Sequence, residues 1–380
     1  PDTGRSYSSQ LQLVDFWGKT WYSRVNAVRM PVFLFTGQTK RMALAFGVIG
    51  PNVETDFSVR KPMLNRSLQA WMKQLELEIA CGNDTFPLPE AVTKASPDGT
   101  LTQWIYYRDE SSLGNETWID TLRDFGRHMQ DRAGQPPRPA GDALLPWWCP
   151  WTDWHSDTVN EDVVLANVQA GLALGMKNFI LDDGWFGPGL DSPPDATLNL
   201  GDWMADPGKF PDLRRLVDRI QEMGGHAVLW CAPHAVSKAA HAYEHCRHLI
   251  IEHQPGVPYL TGNGYHPLCL QSPETREYIA GMCTDLIQRY GAHGAKYDLF
   301  NNLPSEPCIS DRHRHDTTST LEGLSRLMSE MDRRARAINP QFITELKRNY
   351  ATPWLHASGS CVRAGDTPYN PQGNFMRTAY

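Results

Sequence analysis

The second half of the chain alternates short apolar runs with longer amphipathic segments, and this alternation limits its fold more than any other feature. The strand candidates are the runs LLPWWC, NFILDD, HAVLWC, GAKYDL, QFITEL and GSCVRAGD. The segments between them, such as EDVVLANVQAGLALG and TREYIAGMCTDLIQRYG, carry apolar residues at helical spacing. Strands that alternate with helices predict a parallel sheet with crossover helices, and therefore an α/β fold.

The α/β fold that fits best is a (β/α)8-type TIM barrel that is incomplete in this chain. A closed barrel of this type has eight strand units, and only six strand candidates follow residue 142. We therefore expect a catalytic barrel domain over residues 143–380 with its last units missing, as in a chain truncated at its C-terminus.

The preceding residues have a different pattern. Residues 1–116 contain the short runs FLFTG, MALAFGVIG, LELEIACG and TQWIYYRD between turn residues, which predicts a β-sandwich segment. Residues 117–142 combine a helical segment, TWIDTLRDFGRHM, with the Pro/Gly-rich linker RAGQPPRPAGD. The domain boundary is predicted in this linker.

Charge and hydropathy exclude several classes of partner. The formal net charge of −7 argues against nucleic acid, because a polyanion is bound by clustered Lys and Arg. The sequence contains no run of 18 apolar residues and no secretory leader pattern, so we expect a soluble protein without membrane attachment. The compartment stays open between cytoplasmic and secreted, and a homo-oligomer is compatible with the sequence.

The cysteine and histidine patterns predict no metal site. The eight cysteines include no CxxC pair, so free buried thiols are expected. His241, His245 and His248 have helical spacing, but a solvated helix face explains them better than metal ligation does.

Acidic residues follow several of the strand candidates directly. Asp182 and Asp183 end NFILDD, Asp298 follows GAKY, and Asp366 follows VRAG. Barrel enzymes carry their catalytic groups at the carboxyl ends of the strands. These four carboxylates are therefore the candidate chemistry of the chain.

Six motifs resemble those of glycoside hydrolase family 36, which contains α-galactosidases, and they occur in the same order. They are LDDGWFG (181–187), GDW (201–203), KFP (209–211), VLWCAP (228–233), KYD (296–298) and RAGD (363–366). The similarity covers residues 147–366, and the family's preceding sandwich suits the β-rich N-terminal segment.

The resemblance implies a role for each site residue. Asp298 matches the family's nucleophile, with Tyr297 in place of Trp, and Asp366 best matches the acid/base, with Glu345 as the competing carboxylate. Lys296 would lower the pKa of Asp298 from the same strand face and could donate to a sugar hydroxyl. The other residues implied in substrate binding are Asp182 and Asp183 for the 4- and 6-hydroxyls, Trp185 as a wall, Trp230 as a pocket floor, and Arg363.

The leading hypothesis is thus a retaining α-glycoside hydrolase, most similar to α-galactosidases, that acts on an oligosaccharide or glycoside. Two carboxylates and a water molecule suffice for this reaction, so no cofactor is expected. Three alternatives stay open: a transglycosylase of the raffinose or stachyose synthase type, a degenerate carbohydrate-binding member, and a metal-dependent hydrolase using His226, His234 and the Asp pair.

Three further departures from the family pattern leave the sugar and the linkage open. Cys149 begins the segment where the family has Asn-x-Trp-Glu, and Ala232-Pro233-His234 replaces Glu-Pro-Glu. The run 346–349 (LKRN) stands where the family has Cys-Ser-Gly-Gly-Gly-Arg.

Overall fold

A computed structural model describes most of the chain after residue 117. The described ranges are 118–134, 136–138, 141–187, 200–304, 306–348 and 352–363, together with seven strands between residues 12 and 109. Asp366 and the rest of residues 364–380 lie outside them.

The strands before residue 110 form two sheets. They are β1 (Gln12–Leu13), β2 (Thr20–Val25), β3 (Val32–Thr36), β4 (Met42–Ile49), β5 (Thr55–Arg60), β6 (Glu76–Cys81) and β7 (Trp104–Asp109). One sheet has the order β1-β3-β4-β7 and the other has the order β2-β5-β6. The four strand candidates of this segment coincide with β3, β4, β6 and β7. Their packing as a β-sandwich stays a prediction.

Ten further strands follow: β8 (Trp147–Trp148), β9 (Asn178–Leu181), β10 (His226–Cys231), β11 (Ala235–Val236), β12 (Glu252–Gln254), β13 (Val257–Pro258), β14 (His266–Pro267), β15 (Gly294–Tyr297), β16 (Ile343–Lys347) and β17 (Cys361–Arg363). Six of them form one parallel sheet in the order β8-β9-β10-β15-β16-β17. These are the six predicted strands in chain order, and the curled sheet has the architecture of an incomplete TIM barrel. The short pairs β11/β14 and β12/β13 lie in the connection after β10.

Helices connect the parallel strands. The described helices are α1 (Trp118–Ala133), α2 (Trp151–Thr158), α3 (Glu161–Ala173), α4 (Leu213–Glu222), α5 (Ala242–Cys246), α6 (Pro273–Tyr290), α7 (Thr320–Ile338) and α8 (Pro353–His356). The side chains of Asn160, Asp212, Ser272 and Ser319 cap α3, α4, α6 and α7 by accepting from a backbone N–H in the first turn. None of the described helices is both long and apolar enough to cross a membrane.

The main core lies between the parallel sheet and its helices. Strand residues such as Phe179 and Leu229 pack with helix residues such as Leu216 and Leu324, and all four are buried. Burial on both faces explains why the barrel strands read as nearly continuous apolar runs.

The predicted linker is anchored to the barrel. The Arg138 guanidinium contacts the Asp332 carboxylate on α7 and the Phe342 carbonyl. On the other side, Phe125 and Met129 of α1 pack against Val32 of β3. These contacts place α1 and the linker between the first sheet and the barrel, while the division into 1–116, 117–142 and 143–380 stays a prediction.

Two helical glycines give a matched test of this packing. An added Cβ at Gly323 in α7 would lie 2.2 Å from the Leu270 carbonyl oxygen, whereas at Gly281 in α6 the nearest atom is 4.0 Å away, on Arg334. We expect Gly323→Ala to lower the free energy of unfolding by about 1–3 kcal/mol through overpacking. Gly281→Ala should raise it by up to about 1 kcal/mol, because alanine favours the helix. Chemical denaturation measures both, and equal effects of the two changes would contradict this packing.

Candidate active site

The strand register aligns the candidate residues in rows. Lys296 on β15 pairs with Trp230 on β10 and with Glu345 on β16. Alternate residues of a strand face the same side, so Asp298 follows Lys296, and Lys347 follows Glu345, towards the carboxyl end. Arg363 pairs with Lys347 across β16 and β17. The register therefore brings Asp298, Lys347 and Arg363 to the same end of the sheet.

Asp298 is buried at the end of β15 and surrounded by donors. One oxygen lies 3.2 Å from Lys347 Nζ, and the other lies 3.6 Å from Arg363 Nη2 and 3.9 Å from Lys296 Nζ. The Trp230 indole N–H donates to the same oxygen over 3.0 Å. Burial would raise the pKa of Asp298, but the charges of these cations, with Lys347 the largest contributor, outweigh burial and lower it. This carboxylate is thus held in its ionised form inside the protein.

The turn after Asp298 is conformationally strained. Leu299 has a φ of 62°, in the left-handed region that residues other than glycine rarely adopt. In this conformation the Leu299 N–H donates to the Asp298 carboxylate over 2.5 Å. The strain therefore accompanies a contact that stabilises the charge of Asp298.

Asp182 forms a buried ion pair with Lys296. Its Oδ2 lies 2.5 Å from Lys296 Nζ and accepts from the Cys149 thiol over 3.0 Å. Burial would lower the pKa of Lys296, but the Asp182 charge outweighs burial and raises it. Lys296 thus stays charged and joins Asp182 to Asp298.

Asp183 differs from its neighbour, although both are buried. Burial, with smaller effects from the charges of Asp182 and Asp298, raises the pKa of Asp183 to about 7. Its Oδ1 has no hydrogen-bond partner among the described residues. The site therefore combines an ionised carboxylate at Asp298 with one that is partly protonated at neutral pH.

The two predicted tryptophans lie in one aromatic cluster. Trp185 has no exposed surface, and its indole N–H donates to the Trp230 carbonyl over 2.8 Å. Phe186 stacks on Trp230 with ring centroids 5.7 Å apart. Trp230 donates a hydrogen bond to Asp298, whereas Trp185 donates one to the Trp230 carbonyl. The buried position of Trp185 does not favour the expected role of its side chain as a wall of the sugar site.

Glu345 and Asp366 are the two carboxylates considered for the acid/base role, and of these Glu345 lies within the described residues. Glu345 is buried, and the Arg363 Nε donates to its Oε1 over 2.8 Å. Arg363 thus touches both Glu345 and Asp298. Asp366 lies outside the described residues, so its assignment stays a prediction.

The metal-dependent alternative built on His226 and His234 is wrong on geometric grounds. His226 begins β10 and pairs with Asn178 at the start of β9, whereas His234 follows the carboxyl end of β10. One metal ion cannot reach both ends of a strand. The neighbouring histidines at 241 and 248 instead face carboxylates, Asp202 and Glu274 respectively.

Several residues at the site and a cluster beyond it were not identified from the sequence. Lys347 and Cys149 stood only as departures from a family pattern, yet Lys347 pairs with Asp298 and Cys149 with Asp182. Strand alternation puts Lys347 on the same face as Glu345, but only the pairing of β15 with β16 brings it to Asp298. The cysteine pattern indicated no metal site, whereas a Cys and His cluster lies in the loops after β10 and β15.

Comparison with known proteins identifies the family of the chain. The melibiase family model matches residues 146–341, more than half of the chain. A probable α-galactosidase C from Aspergillus flavus is 28% identical over 175 residues, which cover 43% of this chain and 23% of the relative. An α-galactosidase from Lactobacillus acidophilus is 30% identical over 166 residues, which cover 43% and 21%.

Solved structures share the fold at low identity. The α-galactosidase AgaA from Geobacillus stearothermophilus, a member of glycoside hydrolase family 36, aligns with a TM-score of 0.63 and 15% identity. An α-galactosidase from Lactobacillus brevis aligns with a TM-score of 0.61 and 17% identity. Both alignments cover 92% of this chain and less than half of the other, at 47% and 46%. By the family match, this chain belongs to the melibiase family, as a divergent member of glycoside hydrolase family 36.

Proposed function

We propose that the protein is a retaining α-glycoside hydrolase of the α-galactosidase type. The observation that carries this proposal is Asp298, a buried carboxylate that three cations keep ionised at the carboxyl end of a barrel strand. A retaining glycosidase needs a nucleophilic carboxylate in this state, with a second carboxyl group about 5 Å away as acid/base.

The reaction is a double displacement. Asp298 attacks the anomeric carbon and forms a glycosyl–enzyme ester, while the acid/base donates a proton to the departing oxygen. The same group then removes a proton from a water molecule that attacks the anomeric carbon, and the Asp298 carboxylate is released. Each step conserves charge and needs no metal or organic cofactor.

Asp366 is the proposed acid/base. It follows Arg363 by three residues in the sequence. The Arg363 guanidinium lies 3.6 Å from Asp298. The strand that precedes Asp366 thus reaches the nucleophile, which supports this assignment. Glu345 is the alternative and is already engaged by Arg363.

Asp182 and Asp183 are the proposed sugar-binding carboxylates. The unpaired Asp183 oxygen and the Lys296 ammonium between Asp182 and Asp298 offer an acceptor and a donor for sugar hydroxyls. Structures of the Geobacillus α-galactosidase exist with raffinose and with stachyose. We extend this substrate class, oligosaccharides with a terminal α-galactosyl unit, to this protein.

Replacing the nucleophile tests the reaction class. Asp298→Gly should lower the rate at which the aryl alcohol is released from an aryl α-galactoside by about 10⁴-fold, because the attacking group is lost. Added azide should restore release and give the β-galactosyl azide, since a small anion can occupy the vacated position. Asp218→Gly, at a half-buried site on α4 where the carboxylate pairs with Arg214, serves as the control and should keep its activity. A wild-type protein that releases no sugar from any α-glycoside would overturn the proposal and favour a non-catalytic carbohydrate-binding role. Transfer to sucrose instead of water would favour the transglycosylase alternative.

The cation nearest Asp298 should set the acidic limb of the pH profile. Lys347 lowers the pKa of Asp298, so Lys347→Met should raise that pKa. Since only the ionised carboxylate attacks, the acidic limb of kcat/KM should move to higher pH, by about one unit. Lys177→Met is the control, because Lys177 lies at the other end of the sheet, near Gly224. A lower rate without any shift of the limb would contradict this role.

We expect Asp183 to favour substrate binding and to lower the stability of the folded protein. The pKa of Asp183 is about 7 in the folded protein, whereas the pKa of an Asp in an unfolded chain is about 3.9. Unfolding therefore releases this proton between those values, and stability falls as the pH rises through this window. We expect Asp183→Asn to gain thermal stability over the wild type at pH 8 but not at pH 4, and to raise KM. Asp218→Asn should show neither effect, and an equal stability difference at both pH values would contradict the assignment.

A further inference from the structure

Four metal-binding side chains converge in the loops beyond the carboxyl ends of β10 and β15. Cys269 lies just before α6, while Cys308, His313 and His315 lie in the loop between Asp298 and α7. One ligand atom from each lies within 4.8 Å of the other three. The first loop thus meets the second at a cluster of two thiols and two imidazoles.

The donor set and the spacing fit a tetrahedral ion. Two Cys and two His are a common ligand set for structural zinc, with Zn–S and Zn–N distances of about 2.3 and 2.0 Å. A tetrahedron of that size has ligand–ligand edges of roughly 3.3–3.8 Å. The Cys308 Sγ lies 3.6 Å from the His313 Nε2. These two ligands therefore already have the separation that zinc requires.

Surrounding groups orient the ligands. The His313 Nδ1 lies 2.7 Å from the His248 carbonyl oxygen, so Nδ1 carries the proton and Nε2 is available to a metal. The Glu252 backbone N–H points at the Cys308 sulfur over 3.3 Å. The Gln271 side-chain oxygen accepts from the Cys308 backbone N–H over 2.8 Å. Such outer contacts are typical of metal sites, where they fix ligand orientation.

Burial makes the cluster costly without a ligand. Cys269, Cys308 and His313 are buried, and the His315 Nε2 is inaccessible and has no hydrogen-bond partner among the described residues. An unpaired buried nitrogen is unfavourable. A bound metal ion would accept the lone pair of this nitrogen and remove that cost.

We propose that Cys269, Cys308, His313 and His315 form a structural Zn²⁺ site. Four protein ligands fill a tetrahedral shell and leave no position for substrate or water, so the ion is structural. The site links the loop after β10 to the loop that begins at Asp298. It would thereby fix the loops around the catalytic face, and it does not depend on the proposed glycosidase activity.

Elemental analysis of the untagged protein, purified with reductant and without chelator, tests the proposal. We expect about one zinc per chain in the wild type and less than about one-tenth in Cys308→Ser. Cys246→Ser is the control, because this buried thiol donates to the Ala242 carbonyl and lies outside the cluster. It should retain the zinc.

Two further measurements cover a Cys308→Ser variant that fails to fold. A chelator should lower the Tm of the wild type, and added Zn²⁺ should restore it. Co²⁺ in place of zinc should give the visible absorption of a tetrahedral dithiolate site, and this absorption should weaken in His315→Asn. Folded wild type that binds neither metal, or a Cys269–Cys308 disulfide in the reduced preparation, would overturn the proposal.

Discussion

The site depends on an ionised carboxylate that is kept in the protein interior. Asp298 is buried, and burial by itself favours the protonated acid. Lys347, Lys296 and Arg363 reverse that preference, and the Trp230 N–H adds a hydrogen bond. Asp182 in turn neutralises Lys296. No member of this network is stable alone at that depth, because an unpaired buried charge is strongly unfavourable. The strands that carry these residues therefore have to stay in register.

The register explains which parts of the site could be predicted from the sequence. The six strand candidates, and the rule that chemistry lies at the carboxyl ends, were enough to bring Asp182, Lys296 and Asp298 together. Alternation within one strand placed Lys296 and Asp298 on one face. Lys347 was missed because its contact depends on pairing between β15 and β16, which an isolated strand pattern does not reveal. The buried position of Trp185 likewise depends on packing against Tyr290 of α6, far along the chain.

Loops carry the features that were hardest to predict. Cys269 and Cys308 have no local CxxC pattern, and they meet only because the connections after β10 and β15 fold against each other. The strained backbone at Leu299 and the unpaired oxygen of Asp183 also lie in strand-end turns. These groups are unfavourable for stability, and they adjoin the carboxylates to which we assign the chemistry. Regular sheet and helix packing, with a metal ion across the loops, would offset that cost.

Asp298, the proposed nucleophile, would form a covalent intermediate with the sugar. A 5-fluoro-α-galactosyl fluoride slows both steps of a retaining reaction, and its fluoride departs readily, so the glycosyl–enzyme ester accumulates. Peptide mapping of the labelled protein by mass spectrometry would then locate the sugar. We expect one label per chain, on the peptide that contains Asp298. A label on Glu345 or Asp183, or no label in a protein that hydrolyses α-galactosides, would contradict it.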